Sequence, residues 1–230
     1  MVFPQFKPHR YKLLIFLSLA FASVASIAMM VIRFVYTESL TYAFLVWNLL
    51  LAWVPLFFAY LSHHFYEKLS RINPMSLYCA FIWLIFLPNA PYLITDLFYL
   101  GTTDQVPLWF DLILLISFAW TGLLLGMISL YLMQEVVTEA YGRVAGWLFS
   151  LGTLGASSFG IYLGRFLRWN SWDVFLNPTG VASDILDRVL HPLAHRGTFA
   201  VSLLFTVVFT FTYMILFSLT RLPLERAAGT

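Results

Sequence analysis

Six stretches of this sequence are long, apolar and almost free of charge: residues 13–32, 39–62, 72–95, 107–133, 144–164 and 197–220. About 20 mainly apolar residues are needed for a helix to cross a hydrocarbon core of roughly 30 Å. Each stretch meets that length, and only the fourth contains an acidic or basic residue, Asp111. The runs lack the alternation of a membrane β-barrel, and open strands cannot satisfy their backbone in lipid. The fold expected is all-α: a polytopic membrane helical bundle of six transmembrane helices.

Composition supports this. Apolar residues make up 61% of the chain and charged ones 10%, where a soluble domain carries about 25% charged residues. The net charge is +2, too small and too dispersed for a nucleic-acid partner. A lone cysteine, Cys79, excludes an intrachain disulfide or a multi-cysteine metal site. No repeat or flexible linker divides residues 1–230, so the chain reads as a single integral membrane domain.

The first stretch is longer than the apolar core of a signal peptide, and five more follow it, so it is read as an uncleaved helix. Basic residues between spans set the orientation. With the N-terminus inside, Lys7, Arg10, Lys12, Lys68, Arg71, Arg143, Arg221 and Arg226 are internal. Arg33, Arg165, Arg168, Arg188 and Arg196 are then external, eight against five, and both termini are expected in the cytoplasm.

The third span departs from a plain helix. Asn73-Pro74 suits a helix start, but Pro88-Asn89-Ala90-Pro91-Tyr92 breaks the run after only about 21 Å of rise. Prolines remove donors and clash with the preceding turn. Freed backbone at that depth must be buried in protein or line a wet cavity. Two readings stay open: a cavity-forming break, or a packed kink with Asn89 capping the loosened carbonyls.

The fifth span carries Gly152, Ala156, Gly160 and Gly164 at four-residue spacing, a ridge suited to close helix packing. Arg165-Phe166-Leu167-Arg168-Trp169-Asn170-Ser171-Trp172-Asp173 follows. If the helix continues, Arg165 and Arg168 share a face and could grip an anion; alternatively they snorkel or pair with aspartates. Trp169 and Trp172 suit the headgroup level. Residues 165–196 form an outer-face connector or lid, with a turn at Asn177-Pro178-Thr179-Gly180 and a short helix capped by Ser183.

Helical rise places Asp111 about 6 Å, Asn89 about 9 Å and Asn48 about 13 Å inside the outer ends of their spans. Asp96, Arg165 and Arg33 sit at those ends. Candidate ligand-binding residues are therefore Asn48, Asn89, Tyr92, Asp96, Asp111, Arg165, Arg168, Asn170 and Asp173.

Other chemistries find little support. All three lysines and all five histidines (His9, His63, His64, His191, His195) fall outside the six stretches, leaving no buried pair for haem and no base for a membrane serine protease. His191 and His195 have helical metal spacing, but Pro192 intervenes and a third ligand is wanting. Glu135, Glu139 and Arg143 share one helical face and read as a solvated network. No cofactor is indicated by any motif.

The stretch from Trp83 through Pro88-Asn89-Ala90-Pro91-Tyr92 to Asp96, and that from Phe159 through Gly164-Arg165 to Trp172-Asp173, together with Trp47-Asn48, resemble a family of bacterial membrane proteins. That family is a domain of unknown function, number thirteen sixty-one in its series. The resemblance covers most of the chain and implies a multi-pass protein of the bacterial inner membrane. It brings no activity, substrate or catalytic residues.

The expected function is binding or transport of an anionic small molecule or lipid headgroup at an outward-facing polar cavity. Arg165 and Arg168 would supply charge, Asn48 and Asn89 orientation, and Asp96 or Asp111 a proton or counter-charge. Two alternatives stand beside it. One is a membrane-embedded enzyme on lipid-linked or isoprenoid substrates, using Asp96 or Asp111 as acid or base. The other is a structural or assembly subunit with membrane lipids and an oligomeric partner as neighbours.

Overall fold

A computed structural model describes residues 8–69, 71–101 and 105–228, with the backbone alone for 8–11 and 221–228. Lys7 and the middle of the loop after the third span lie outside the described residues.

The chain folds as α1 (Pro8–Thr37), α2 (Phe44–Leu69), α3 (Pro74–Phe86), α4 (Asn89–Tyr92), a 3-10 segment (Leu93–Tyr99), α5 (Leu108–Tyr141), α6 (Arg143–Phe166), α7 (Asp173–Leu176), α8 (Pro178–Leu190) and α9 (Arg196–Ala228). No strand occurs among the described residues. Six helical stretches are long and apolar enough to cross a membrane: Lys12–Thr37, Phe44–Leu69, Pro74–Tyr99, Leu108–Tyr141, Arg143–Phe166 and Arg196–Thr220. The protein is a six-helix membrane bundle.

α5 is its axis. It packs against α1, α2, α4, the 3-10 segment, α6 and α9. Of its most apolar stretch 61% is buried, against 39% for α6, the next highest. Side chains around α5 form two apolar clusters, one with Tyr42, Leu45, Leu114 and Phe118, the other with Trp83, Met127, Ile161 and Tyr213. Polar links are sparse and interhelical: Trp53 donates to Ser23 Oγ (3.0 Å) and Trp83 to Ser129 Oγ (3.1 Å). Most remaining apolar side chains point outward, as lipid-facing surfaces require.

Local signals explain the boundaries. Asn73 caps α3 through Oδ1, which accepts from the Met75 and Ser76 amides (3.1 and 3.0 Å), while Ser76 Oγ accepts from the Asn73 amide (3.1 Å). α5 and α6 are separated by Gly142 alone, at φ 90° and ψ 168°, a region open in practice to glycine. That break divides the expected network of Glu135, Glu139 and Arg143, because Arg143 starts a new helix. Glu135 lies instead 3.7 Å from His63, which is buried near the end of α2 rather than placed beyond it.

The third span is interrupted without being severed. Leu87, Pro88, Tyr92 and Leu93 all keep right-handed helical angles, so α3, α4 and the 3-10 segment follow one slightly bent path. What breaks is the hydrogen-bond ladder. The Ala90 amide turns to the Leu87 carbonyl (3.1 Å), which Pro91 cannot serve.

Candidate functional site

The freed carbonyls of that interruption explain the first site residue. The Phe86 carbonyl accepts from Asn89 Nδ2 (3.0 Å), and the Ile85 carbonyl from Ser171 Oγ (3.0 Å). Asn89 Nδ2 also donates to Ser171 Oγ (2.7 Å). Asn89 thus caps its own broken helix and ties it to the segment after α6. Both sequence readings of the break hold at once, because the same place borders a cavity.

The cavity has a volume of about 170 Å³. α2 contributes Trp47, Asn48 and Leu51, and the broken span contributes Ile85, Pro88, Asn89 and Tyr92. α6 adds Gly160, Leu163 and Gly164, and the connector adds Trp169, Asn170, Ser171, Trp172 and Val174 with Val181 of α8. Of the two glycines, Gly160 is the position of close approach and Gly164 makes ordinary contact. A Cβ at Gly160 would fall 2.7 Å from Pro88 Cγ, and one at Gly164 would fall 3.4 Å from the Tyr92 ring. The other half of the expected ridge is unused: a Cβ at Gly152 would meet nothing within 4 Å, and Ala156 is exposed.

Of the nine candidate residues, Asn48, Asn89, Tyr92 and Asn170 line this cavity. Asp96 and Arg165 stand beside it as a pair, Arg165 Nη1 to Asp96 Oδ1 at 3.3 Å, and Asn48 Nδ2 donates to Asp96 Oδ2 (3.0 Å). The guanidinium also lies over the Tyr99, Phe98 and Tyr92 rings, at 4.6, 5.4 and 5.9 Å. Asp111 is elsewhere. Its oxygens take the Arg33 Nε and Nη2 (2.8 and 3.3 Å), with the Arg33 guanidinium 4.4 Å from the Tyr42 ring centre. Asp173 braces the connector, accepting from the Asn170 amide (2.7 Å) and Asn170 Nδ2 (3.2 Å).

Arg168 does not share a face with Arg165, because α6 stops at Phe166. Arg168 adopts the left-handed conformation, φ 62°, and the Trp169 amide closes back on the Leu163 carbonyl (3.2 Å). The reversal turns Trp169 to the cavity wall and leaves Arg168 exposed. The connector differs too. Asn177-Pro178-Thr179-Gly180 is not a separate turn but the start of α8, with Asn177 as cap accepting from the Gly180 amide (3.1 Å) and Pro178 in the first turn. Trp169 Nε1 donates to Asp184 (2.6 Å), pinning α8 over the cavity.

At the far end of α8, Asp187 accepts from His195 Nε2 (2.7 Å) and lies 3.0 Å from His191 Nδ1. The His195 hydrogen bond, more than that of His191, holds the Asp187 carboxyl below its ordinary range. The two histidines therefore serve a carboxylate, and no group of metal-ligand spacing occurs among the described residues.

Ser171, Trp47, Trp169 and Trp172 join the site although sequence reasoning gave them no ligand role. Ser171 meets partners 82 and 86 positions away. Its only sequence signal was the demand of a proline break for outside donors.

No curated protein and no solved structure matches the chain. A family model described as "Protein of unknown function (DUF1361)" matches residues 47–216, a segment that holds every cavity-lining residue, from Trp47 to Val181. The match spans well over half of the sequence, and the chain belongs to this family.

Proposed function

We propose that this protein binds the polar headgroup of a membrane amphiphile in the cavity between α2, α4, α6 and the connector. The cavity faces outward from a bacterial inner membrane, with both termini in the cytoplasm. The observation that carries the reading is the position of Trp47. It lines the cavity yet is 55% exposed on a membrane-spanning helix, so the cavity reaches the lipid-facing side of the bundle. Trp169 and Trp172 border the same space from the connector, and indole rings favour the bilayer interface. A ligand arriving from the leaflet meets this opening sideways.

The headgroup is better supported than a free anion. Arg165 is engaged by Asp96, and Arg168 is exposed and lines no part of the cavity. Asp96 and Asp111 each face an arginine, so neither offers a carboxyl group uncommitted to structure.

The test is native mass spectrometry of protein extracted in mild detergent, wild type against Trp47→Ala. A lipid-sized adduct on the wild type, depleted in the variant, is the expected result. Identical adducts on both proteins, or none on either, would overturn the reading.

A further inference from the structure

Resting on the headgroup reading, we propose that the group taken by this cavity is uncharged and hydroxyl-rich: one sugar or polyol ring carried on a lipid. None of the cavity-lining residues is Asp, Glu, Lys or Arg. An anionic headgroup would enter without a countercharge, which a low-dielectric site penalises heavily.

The hydrogen-bonding groups point the same way. Each of the cavity's three asparagines donates from its amide nitrogen within the protein, and Asn48 and Asn170, with one such bond each, keep a second N–H. Asn48 Nδ2 donates to Asp96, Asn89 Nδ2 to Phe86 and Ser171, and Asn170 Nδ2 to Asp173. Their Oδ1 atoms remain as acceptors. A phosphate or carboxylate would leave these acceptors without a donor. A hydroxyl donates to these acceptors.

A hydroxyl can also accept, and donors are present. The indole N–H groups of Trp47 and Trp172 have no acceptor among the described residues. An ammonium headgroup would satisfy the acceptors but not these donors, whereas a polyol satisfies both. The aromatic walls supply flat apolar faces for the C–H side of a ring. The volume, about 170 Å³, limits the group to a single ring, since a cavity of about 150 Å³ holds a benzene-sized molecule.

The experiment loads phosphatidylcholine nanodiscs containing the full protein with one of four dioleoyl lipids, and counts retained lipid by native mass spectrometry after release. The probes are monoglucosyldiacylglycerol, phosphatidic acid, phosphatidylethanolamine and diacylglycerol. The glucolipid should be retained about tenfold over each of the others. Trp47→Ala should lower that retention about tenfold, while Trp47→Phe, which keeps a ring face, should stay within about threefold. If Trp47→Ala fails to fold, Asn170→Ala, on the exposed connector, takes its place with loss of retention again expected. Preference for phosphatidic acid or phosphatidylethanolamine would overturn the polyol assignment and leave the headgroup reading standing. Equal retention of all four lipids, diacylglycerol included, would overturn both. Glucolipid retention unchanged in a folded Trp47→Ala or Asn170→Ala protein would also overturn the assignment to this cavity.

Discussion

Arg33 has a side chain wholly shielded from solvent, and its partner Asp111 is 2% exposed. An isolated charge at such a place within a membrane span is costly, and pairing is what makes it tolerable. α1 has no other ion pair to α5 among the described residues, and it also docks through Leu19 and Met30 in the apolar core and the Trp53 bond to Ser23. Removing one partner strands the other. Asp111→Ala is therefore expected to cost about 3–5 kcal/mol of stability, where Arg168→Ala, at an exposed position, stays within about 0.5 kcal/mol. Thermal unfolding in detergent measures both, and equal midpoints for Asp111→Ala and wild type would show that the pair does not secure α1. The structure separates the Arg33–Asp111 pair from the Arg165–Asp96 pair beside the cavity. Burial alone makes Asp111 a candidate ligand group by default, but its geometry is that of a structural bond.

The interrupted third span works as an element because its neighbours let it come close. α5 presents Gly122 to the α4 turn, where a Cβ would collide with the Ala90 carbonyl and lie 2.5 Å from Leu93 Cδ1. α6 presents Gly160 to Pro88 on another side. The broken turn is thus held between two helices, and the cavity lies along its border. Gly122→Ala should cost about 1–3 kcal/mol, since backbone cannot step aside as a side chain can. Gly152→Ala, with open space around it inside α6, should cost nothing and gain up to about 1 kcal/mol. Thermal midpoints read both, and a neutral Gly122→Ala would mean that the α4 turn is looser than this packing implies. At this scale the sequence was legible where physics is local. Run length and charge depletion located all six spans, and Asn73-Pro74 located the start of α3. Three features were not legible. The end of α6 depends on one left-handed residue, Arg168, which nothing in its side chain announces. Pro178 reads equally well as a turn or as a first helical residue. Ser171 is defined by the Ile85 carbonyl and the Asn89 side-chain amide, both more than 80 positions away.

Across the whole molecule the polar groups are unevenly distributed. The cavity, the Arg165–Asp96 and Arg33–Asp111 pairs and the α7–α8 connector share the end of the bundle where α6 finishes and α9 begins. The opposite end holds the α5–α6 junction at Gly142 and the cluster of His63 with Glu67 and Glu135. The two ends face different compartments, so sidedness decides from which leaflet a headgroup can enter. The basic residues favour an outward cavity, with eight internal against five external, but four of those five lie in or beside the connector and narrow the margin. Single-cysteine labelling resolves the question, because the native Cys79 is 3% exposed and contributes little background. Thr179→Cys sits in the exposed first turn of α8, and Tyr141→Cys replaces a side chain that is 69% exposed at the other end. In intact cells a membrane-impermeant maleimide should modify Thr179→Cys, and should reach Tyr141→Cys only after permeabilisation. The reverse pattern would turn the cavity to the cytoplasmic leaflet, and any lipid held there would then come from the inner supply.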